Sequence, residues 1–233
     1  MAERAKEEVL LNEGDAYFHR NSPAQLDEKE PAIGCKLFGE FLETNMWLKK
    51  SGKQRILEIG CCYGNNLMHL CSRYGFEGYG IEPSAEAVAY GQNLIKDEQE
   101  CKISLSQGTS DALSFADDYF DIVMLGFCAF WVDRKYIQKT VSEADRVLKT
   151  GGILVSWDFD TKIPYRRPNI HNEHVPTYKY DIARLFLGNP QYSLIEKRSF
   201  SHAGYGFDLQ MQERCALNVL YKEAIEDAYI YCM

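Results

Sequence analysis

Apolar positions along this chain alternate between two patterns, a helical spacing near 3.6 and short continuous runs that suit buried strands. The first thirty residues are polar and punctuated, with Asn12-Glu13-Gly14-Asp15 followed by Asn21-Ser22-Pro23. They read as a short helical arm with a turn. From Pro31 to about Lys50, residues such as Ile33, Leu37, Phe41 and Leu48 recur at helical spacing, and Ser51-Gly52 ends that helix. Beyond it the pattern predicts strands over 55–60, 77–82, 102–106, 120–126 and 153–159. Helices are predicted over 65–74, 84–98 and 134–149, the last stopped by Gly151-Gly152. The run Phe120-Asp121-Ile122-Val123-Met124-Leu125-Gly126 is almost wholly apolar, as expected of a strand covered on both faces. The tail predicts a helix over 178–187 and strands over 193–200 and 213–221, with no helix between those two.

Strands alternating with helices imply right-handed crossovers and a parallel sheet with helices on both faces. Two final strands without an intervening helix imply an antiparallel edge. The predicted fold class is α/β: a Rossmann-like, doubly wound sheet of seven strands with an antiparallel edge strand. Residues 1–30 are expected to form an arm and residues 31–233 a single domain.

Composition narrows the partners. A chain of 233 residues with 45% hydrophobic and 26% charged residues can bury a full core without disulfides or metals. A net charge of −8 argues against a nucleic-acid partner, because phosphate binding draws its affinity from clustered Lys and Arg. No apolar run reaches the roughly 18 residues of a membrane span, and Met1–Leu10 lacks the apolar centre of a signal peptide. No membrane association and a cytoplasmic location are therefore expected. The eight cysteines include no CxxC pair, so buried, reduced thiols are expected rather than a zinc site. No acidic cluster demands a metal, and nothing in the sequence specifies an oligomeric state.

In open α/β sheets ligands bind beyond the carboxyl ends of the strands, and there the informative residues fall. The first strand runs into Glu58-Ile59-Gly60-Cys61-Cys62-Tyr63-Gly64 and then a helix. Gly60 and Gly64 permit a sharp turn, and the helix start offers N–H groups to an anion. The second strand ends at Glu82, 22 residues after Gly60, where a carboxylate can accept both hydroxyls of a ribose. A dinucleotide fingerprint would need glycines where Cys62 and Asn65 stand, so pyrophosphate binding is disfavoured.

These residues resemble class I methyltransferases that use S-adenosylmethionine (SAM), whose first motif is an acidic residue followed by G-x-G-x-G. Cys62 replaces the middle glycine here. The likeness continues through Glu82, the segment Gly108–Phe115, Tyr119–Val123 and Val147–Gly152, covering residues 55 to 159 in order. It implies SAM as cofactor, with Glu58, Gly60, Cys61 and Gly64 around its methionine part and Glu82 on the ribose. Thr109, Ser110 and Asp111 would border the adenine, while Leu125, Gly126 and Phe127 would form a floor. On residue chemistry alone Asp111 reads equally as a cap or turn residue, and Cys61 and Cys62 as packing thiols.

Specificity for the methyl acceptor is expected outside that shared core. Glu13–Asn21 resembles the G-D-x-Y/W-F-x-R-N stretch of bacterial methyltransferases of cell-surface sugar and small-molecule pathways, in which the arm folds over SAM. The resemblance implies that Tyr17, Phe18 and Asn21 close the cofactor pocket. After the fifth strand, Tyr165-Arg166-Arg167-Pro168 and His171-Asn172-Glu173-His174 collect groups that titrate or donate. His171 and His174 are the candidate catalytic bases. The expected reaction is transfer of a methyl to oxygen or nitrogen of a small polar acceptor, such as a sugar or nucleotide-linked metabolite. The alternative is a catalytically silent fold acting as a SAM sensor or complex subunit. A cavity enclosed by the arm and the histidine segment would favour the enzyme.

Overall fold

A computed structural model describes residues 13–21, 30–45, 53–96, 102–169, 171–172 and 175–228. Helix α1 occupies residues 13–20, followed by α2 (Ile33–Thr44), β1 (Arg55–Ile59), α3 (Asn65–Tyr74), β2 (Glu77–Glu82) and α4 (Ala85–Lys96). Next come β3 (Ile103–Gln107), β4 (Phe120–Gly126), α5 (Arg134–Val147) and β5 (Leu148–Phe159). The chain continues with β6 (Tyr165–Pro168), β7 (Pro176–Lys179), α6 (Ala183–Leu187), β8 (Tyr192–Ser201), β9 (Arg214–Lys222) and α7 (Ile225–Ala228).

Seven strands form one sheet in the order β3-β2-β1-β4-β5-β9-β8, and β6 pairs with β7 in a separate hairpin. Strands β1 to β5 are parallel, while β9 runs antiparallel to both β5 and the edge strand β8. Alternate residues of the central strands enter two cores. Ile56, Ile122, Val155 and Trp157 face α2 and α3, and Leu57, Val123, Leu125 and Leu154 face α5 and α6. This is the period-2 alternation that a sheet covered on both faces requires.

The fold departs from the sequence expectation at two boundaries and in one added hairpin. Residues 178–187 are not one helix. Pro176–Lys179 pairs with β6, burying Thr177 and Lys179 on one face, and only Ala183–Leu187 is helical, with Asp181 Oδ1 accepting from Ala183 N. Strand β5 begins at Leu148 rather than Ile153, because Gly151 adopts a left-handed φ of 74° and the register with β4 shifts between Phe120 and Ile122. The hairpin β6–β7 itself was not expected. The expected helix segments 46–50 and 97–98 lie outside the described residues.

Candidate cofactor and acceptor site

The strand order reverses between β1 and β4, so the loops after these strands diverge and leave a crevice at the sheet's carboxyl edge. The loop after β1 turns through Gly60 (φ 75°), Cys62 (φ 50°) and Gly64 (φ 82°). Cys62 thus holds the left-handed conformation that a glycine takes most readily. A Cβ on Gly60 would lie 2.4 Å from Cys128 Cβ, which shows how closely the loops after β1 and β4 approach. Cys61 is buried, and its thiol fills the space beside Gly80.

Glu58 lies at the centre of this arrangement. It is 1% exposed, its Oε1 accepts from Asn66 Nδ2 at 2.7 Å, and its Oε2 has no hydrogen-bond partner among the described residues. Burial pushes its pKa up to about 8, against the opposing pull of the Asn66 bond. A buried carboxylate oxygen left without a donor is costly unless a cationic or N–H group approaches it. Glu82 accepts from Cys62 N at 2.9 Å and Ser84 N at 3.0 Å. It therefore holds the glycine loop and the start of α4 together. Desolvation raises its pKa, with Asp15 adding to the shift and the two backbone N–H groups opposing it.

Helix α1 lies across the same edge. Phe18 is buried against Tyr63 and Tyr90, with ring centroids 6.5 and 5.7 Å away. Asp15 Oδ1 accepts from Ser84 Oγ at 2.5 Å, and Glu13 receives Arg20, Asn169 Nδ2 (3.3 Å) and Asn172 Nδ2 (3.0 Å). Tyr17 stands edge-on to Trp131 at 6.0 Å. Desolvation, then Cys62 and Glu82, push its phenol up to about 12.

A cavity of about 850 Å³ opens between α1, the segment after β4, the end of β5 and the β6–β7 hairpin. Tyr17, Asn21, Phe127, Trp131 and Phe159 line it, as do Arg167, Asn169, His171, Lys179, His202 and Glu213. Of the residues singled out from sequence, Tyr17, Asn21 and His171 thus share one space; Glu58 in β1, Gly60, Cys61 and Gly64 in the loop after it, and Glu82 at the end of β2 are not among the residues that line it. Gly126 ends β4 against the Trp157 ring. The Leu125 side chain packs into the α5 core, so it offers the site only backbone. Thr109 and Asp111 follow β3, Asp111 being buried, and Ser110 Oγ is engaged with Thr140 Oγ1 of α5 at 2.8 Å. His174 lies outside the described residues.

Sequence reasoning missed Lys179, His202 and Glu213. Each sits at a strand end, but no spacing in the sequence joins 179, 202 and 213. Only the pairing of β8 with β9, and the hairpin folded over them, brings the three together.

Comparison with known proteins bears on residues 57–156, which match the family described as "Methyltransferase domain". The uncharacterized methyltransferase YcgJ of Bacillus subtilis is 28% identical over 138 residues, 58% of this chain and 51% of that protein. Norajmaline N-methyltransferase of Rauvolfia serpentina is 32% identical over 127 residues, 53% of this chain and 43% of that protein. The chain thus spans about half the length of the curated relatives it matches. Among solved structures, the Burkholderia thailandensis 1,6-didemethyltoxoflavin-N1-methyltransferase superposes with a TM-score of 0.72 at 10% identity, covering 95% of this chain and 90% of that one. A SAM-dependent methyltransferase of Methanosarcina mazei gives 0.61 at 17% identity, covering 75% and 94%. At these identities the structural likeness concerns the fold. The match to a methyltransferase domain over residues 57–156, under half of the chain, falls on the same segment as the glycine loop and the switch point of the sheet.

Proposed function

We propose that the chain is an enzyme that binds SAM at the β1 loop and transfers its methyl group to oxygen or nitrogen of a small polar acceptor held in the cavity. The observation that carries this reading is the buried Glu58 Oε2, without a hydrogen-bond partner among the described residues, at the start of a left-handed glycine loop, with Tyr17 of the cavity wall close enough to Cys62 and Glu82 to feel their charge. Bound SAM supplies a methyl already activated by its sulfonium. The protein's task is then alignment and proton removal. Glu58 would receive the cationic amino group of the methionine part, with Gly60, Cys61 and Gly64 giving the backbone room to approach. Glu82 would accept from the ribose hydroxyls, and Thr109, Ser110 and Asp111 would border the adenine. The arm of residues 1–30 would close over the cofactor through Tyr17 and Asn21, leaving 31–233 as the methyltransferase domain.

The arm, through Tyr17 and Asn21, and the segment carrying His171 both line one open cavity, which supports an enzyme over a silent SAM sensor. His171 is exposed at the cavity, and its backbone N donates to Asn169 Oδ1 at 3.1 Å, so a role as base is open to it. The resemblance of the arm keeps sugars and nucleotide-linked metabolites among the acceptors. The N-methyltransferase among the relatives supports nitrogen beside oxygen as the reacting atom. Thermal or chemical unfolding with and without SAM tests the cofactor. At a hundred times its dissociation constant SAM should add about 2.7 kcal/mol of stability; an unchanged transition at millimolar SAM would refute the reading.

A further inference from the structure

Five large aromatic residues, Tyr17, Phe127, Phe130, Trp131 and Phe159, line the cavity among its polar groups. Phe127 stands edge-on to Phe159 at 5.8 Å, and Phe130 stands edge-on to the same ring at 5.3 Å. Tyr17 and Trp131 close the other side at 6.0 Å. Such walls suit a flat π system, whose faces and edges they can meet at once.

Two of the polar residues of the lining stand against the Phe159 ring. Lys179 is 3% exposed, with Nζ 3.3 Å from the Phe159 ring centroid, and its hydrogen bond to Gln212 O is long at 3.4 Å. Burial holds its pKa down to about 8; Arg167 acts in the same direction, and Glu213, Cys215 and Asp158 oppose. An ammonium has three donors; among the described residues this one has the Phe159 ring face and one long hydrogen bond, which leaves donors for an anion to complete the set. The second feature is His202, which follows β8 at the sheet's carboxyl edge. Its ring stacks on Phe159 at 5.4 Å and meets the Phe127 edge at 5.7 Å. Its backbone N donates to Glu213 O at 2.8 Å, and its Nδ1 lies 3.7 Å from Glu213 Oε2.

We infer that this cavity accepts a planar aromatic or heteroaromatic compound with an anionic group on Lys179, and that His202, oriented by Glu213, takes the proton from its O–H or N–H nucleophile. The inference rests on the methyl-transfer reading above. Glu213 on the Nδ1 side leaves Nε2 as the proton acceptor. In the step, the nucleophile bonds to the methyl carbon, the carbon–sulfur bond breaks with its electron pair going to sulfur, and the proton passes to Nε2. The products are methylated acceptor, the thioether and an imidazolium. The groups facing the imidazole are Glu213 from the turn before β9, Lys179 from β7 and Arg167 from β6. Desolvation and the two cations lower its pKa, and Glu213 opposes them. A base of that strength is better matched to a phenol or ring N–H than to an aliphatic hydroxyl.

The test uses the full chain, S-adenosylhomocysteine at saturation, and 6-hydroxy-2-naphthoate as probe. Its phenolate absorbs at longer wavelength than its phenol, so binding and ionisation are read without turnover. UDP-glucose is titrated in parallel, and SAM binding is measured by calorimetry on every variant. The naphthoate should bind, Lys179→Met should weaken it at least tenfold, and its phenol should ionise at lower pH when bound than when free. His202→Gln should abolish that ionisation shift and Glu213→Gln should reduce it, with SAM binding unchanged in both. If SAM binds but the naphthoate does not at millimolar concentration, or if the shift survives in His202→Gln, the inference is overturned and the methyltransferase reading stands. If SAM does not bind, the underlying reading fails and the inference falls with it.

Discussion

Cys62 stands where the family's loop has its middle glycine, and it adopts a φ of 50°. A non-glycine residue pays roughly 1 kcal/mol or more for that conformation. Cys62→Gly should therefore leave stability unchanged or raise it by up to about 1 kcal/mol. Cys62→Val, β-branched at positive φ, should lower it by about 1–2 kcal/mol; denaturant titration of both variants measures the difference. Glu58 makes a prediction about pH. With its folded pKa near 8 and its ordinary value at 4.5, the folded chain binds more protons than the unfolded chain between those limits. Stability of the cofactor-free protein should then fall as pH rises from about 4.5 to 8. A cation brought to the carboxylate reverses the preference, so SAM affinity should rise over the same window and binding should release a proton. Glu58→Gln should flatten both slopes. Calorimetry in buffers of different ionisation enthalpy reads the proton directly, and no release near pH 6.5 would count against Glu58 as the receptor of the amino group.

At the scale of elements, the arm and the sheet are joined by few but specific contacts. Asp15 meets Ser84, the residue preceding α4, whose Oγ also accepts from Ala87 N at 3.0 Å. Asp15→Ala should cost about 1–2 kcal/mol of docking, speeding limited proteolysis within residues 13–21 and weakening SAM binding about tenfold while the sheet's own unfolding transition moves little. On the opposite side of the site, Trp157 is buried beneath Gly34 of α2 and Gly126 of β4, where an added Cβ would come within 2.1 and 2.4 Å of its ring. Gly34→Ala should destabilise by about 1–3 kcal/mol through overpacking, and Trp157→Leu in the same chain should recover part of the loss. Elements with strong periodicity, such as β4 and α5, were legible from sequence because burial on two faces or one leaves an unmistakable pattern. The β6–β7 hairpin was not. Its four-residue strands carry one alternation each, and Thr177 and Lys179 are polar residues buried by tertiary packing that the local pattern cannot reveal.

For the whole molecule, the order of motifs made the parallel half of the sheet legible, with the Glu58–Gly64 loop and Glu82 at the carboxyl ends of the adjacent strands β1 and β2. The acceptor side was less legible. Tyr17, Asn21 and His171 were marked by their segments, whereas Lys179, His202 and Glu213 converge only through the antiparallel β8–β9 pair and the hairpin above it. Among the described residues no helix is long and apolar enough to cross a membrane. Everything proposed about catalysis depends on occupation of the β1 loop by SAM. Calorimetric titration of the full chain with SAM and, separately, NADH tests that directly, with Glu82→Ala as the partner variant. The account predicts micromolar SAM binding, no NADH binding, and a loss of at least about thirtyfold in the variant, the worth of roughly 2 kcal/mol from a charged hydrogen-bond acceptor. Absence of SAM binding, or SAM binding that is indifferent to Glu82, would contradict it.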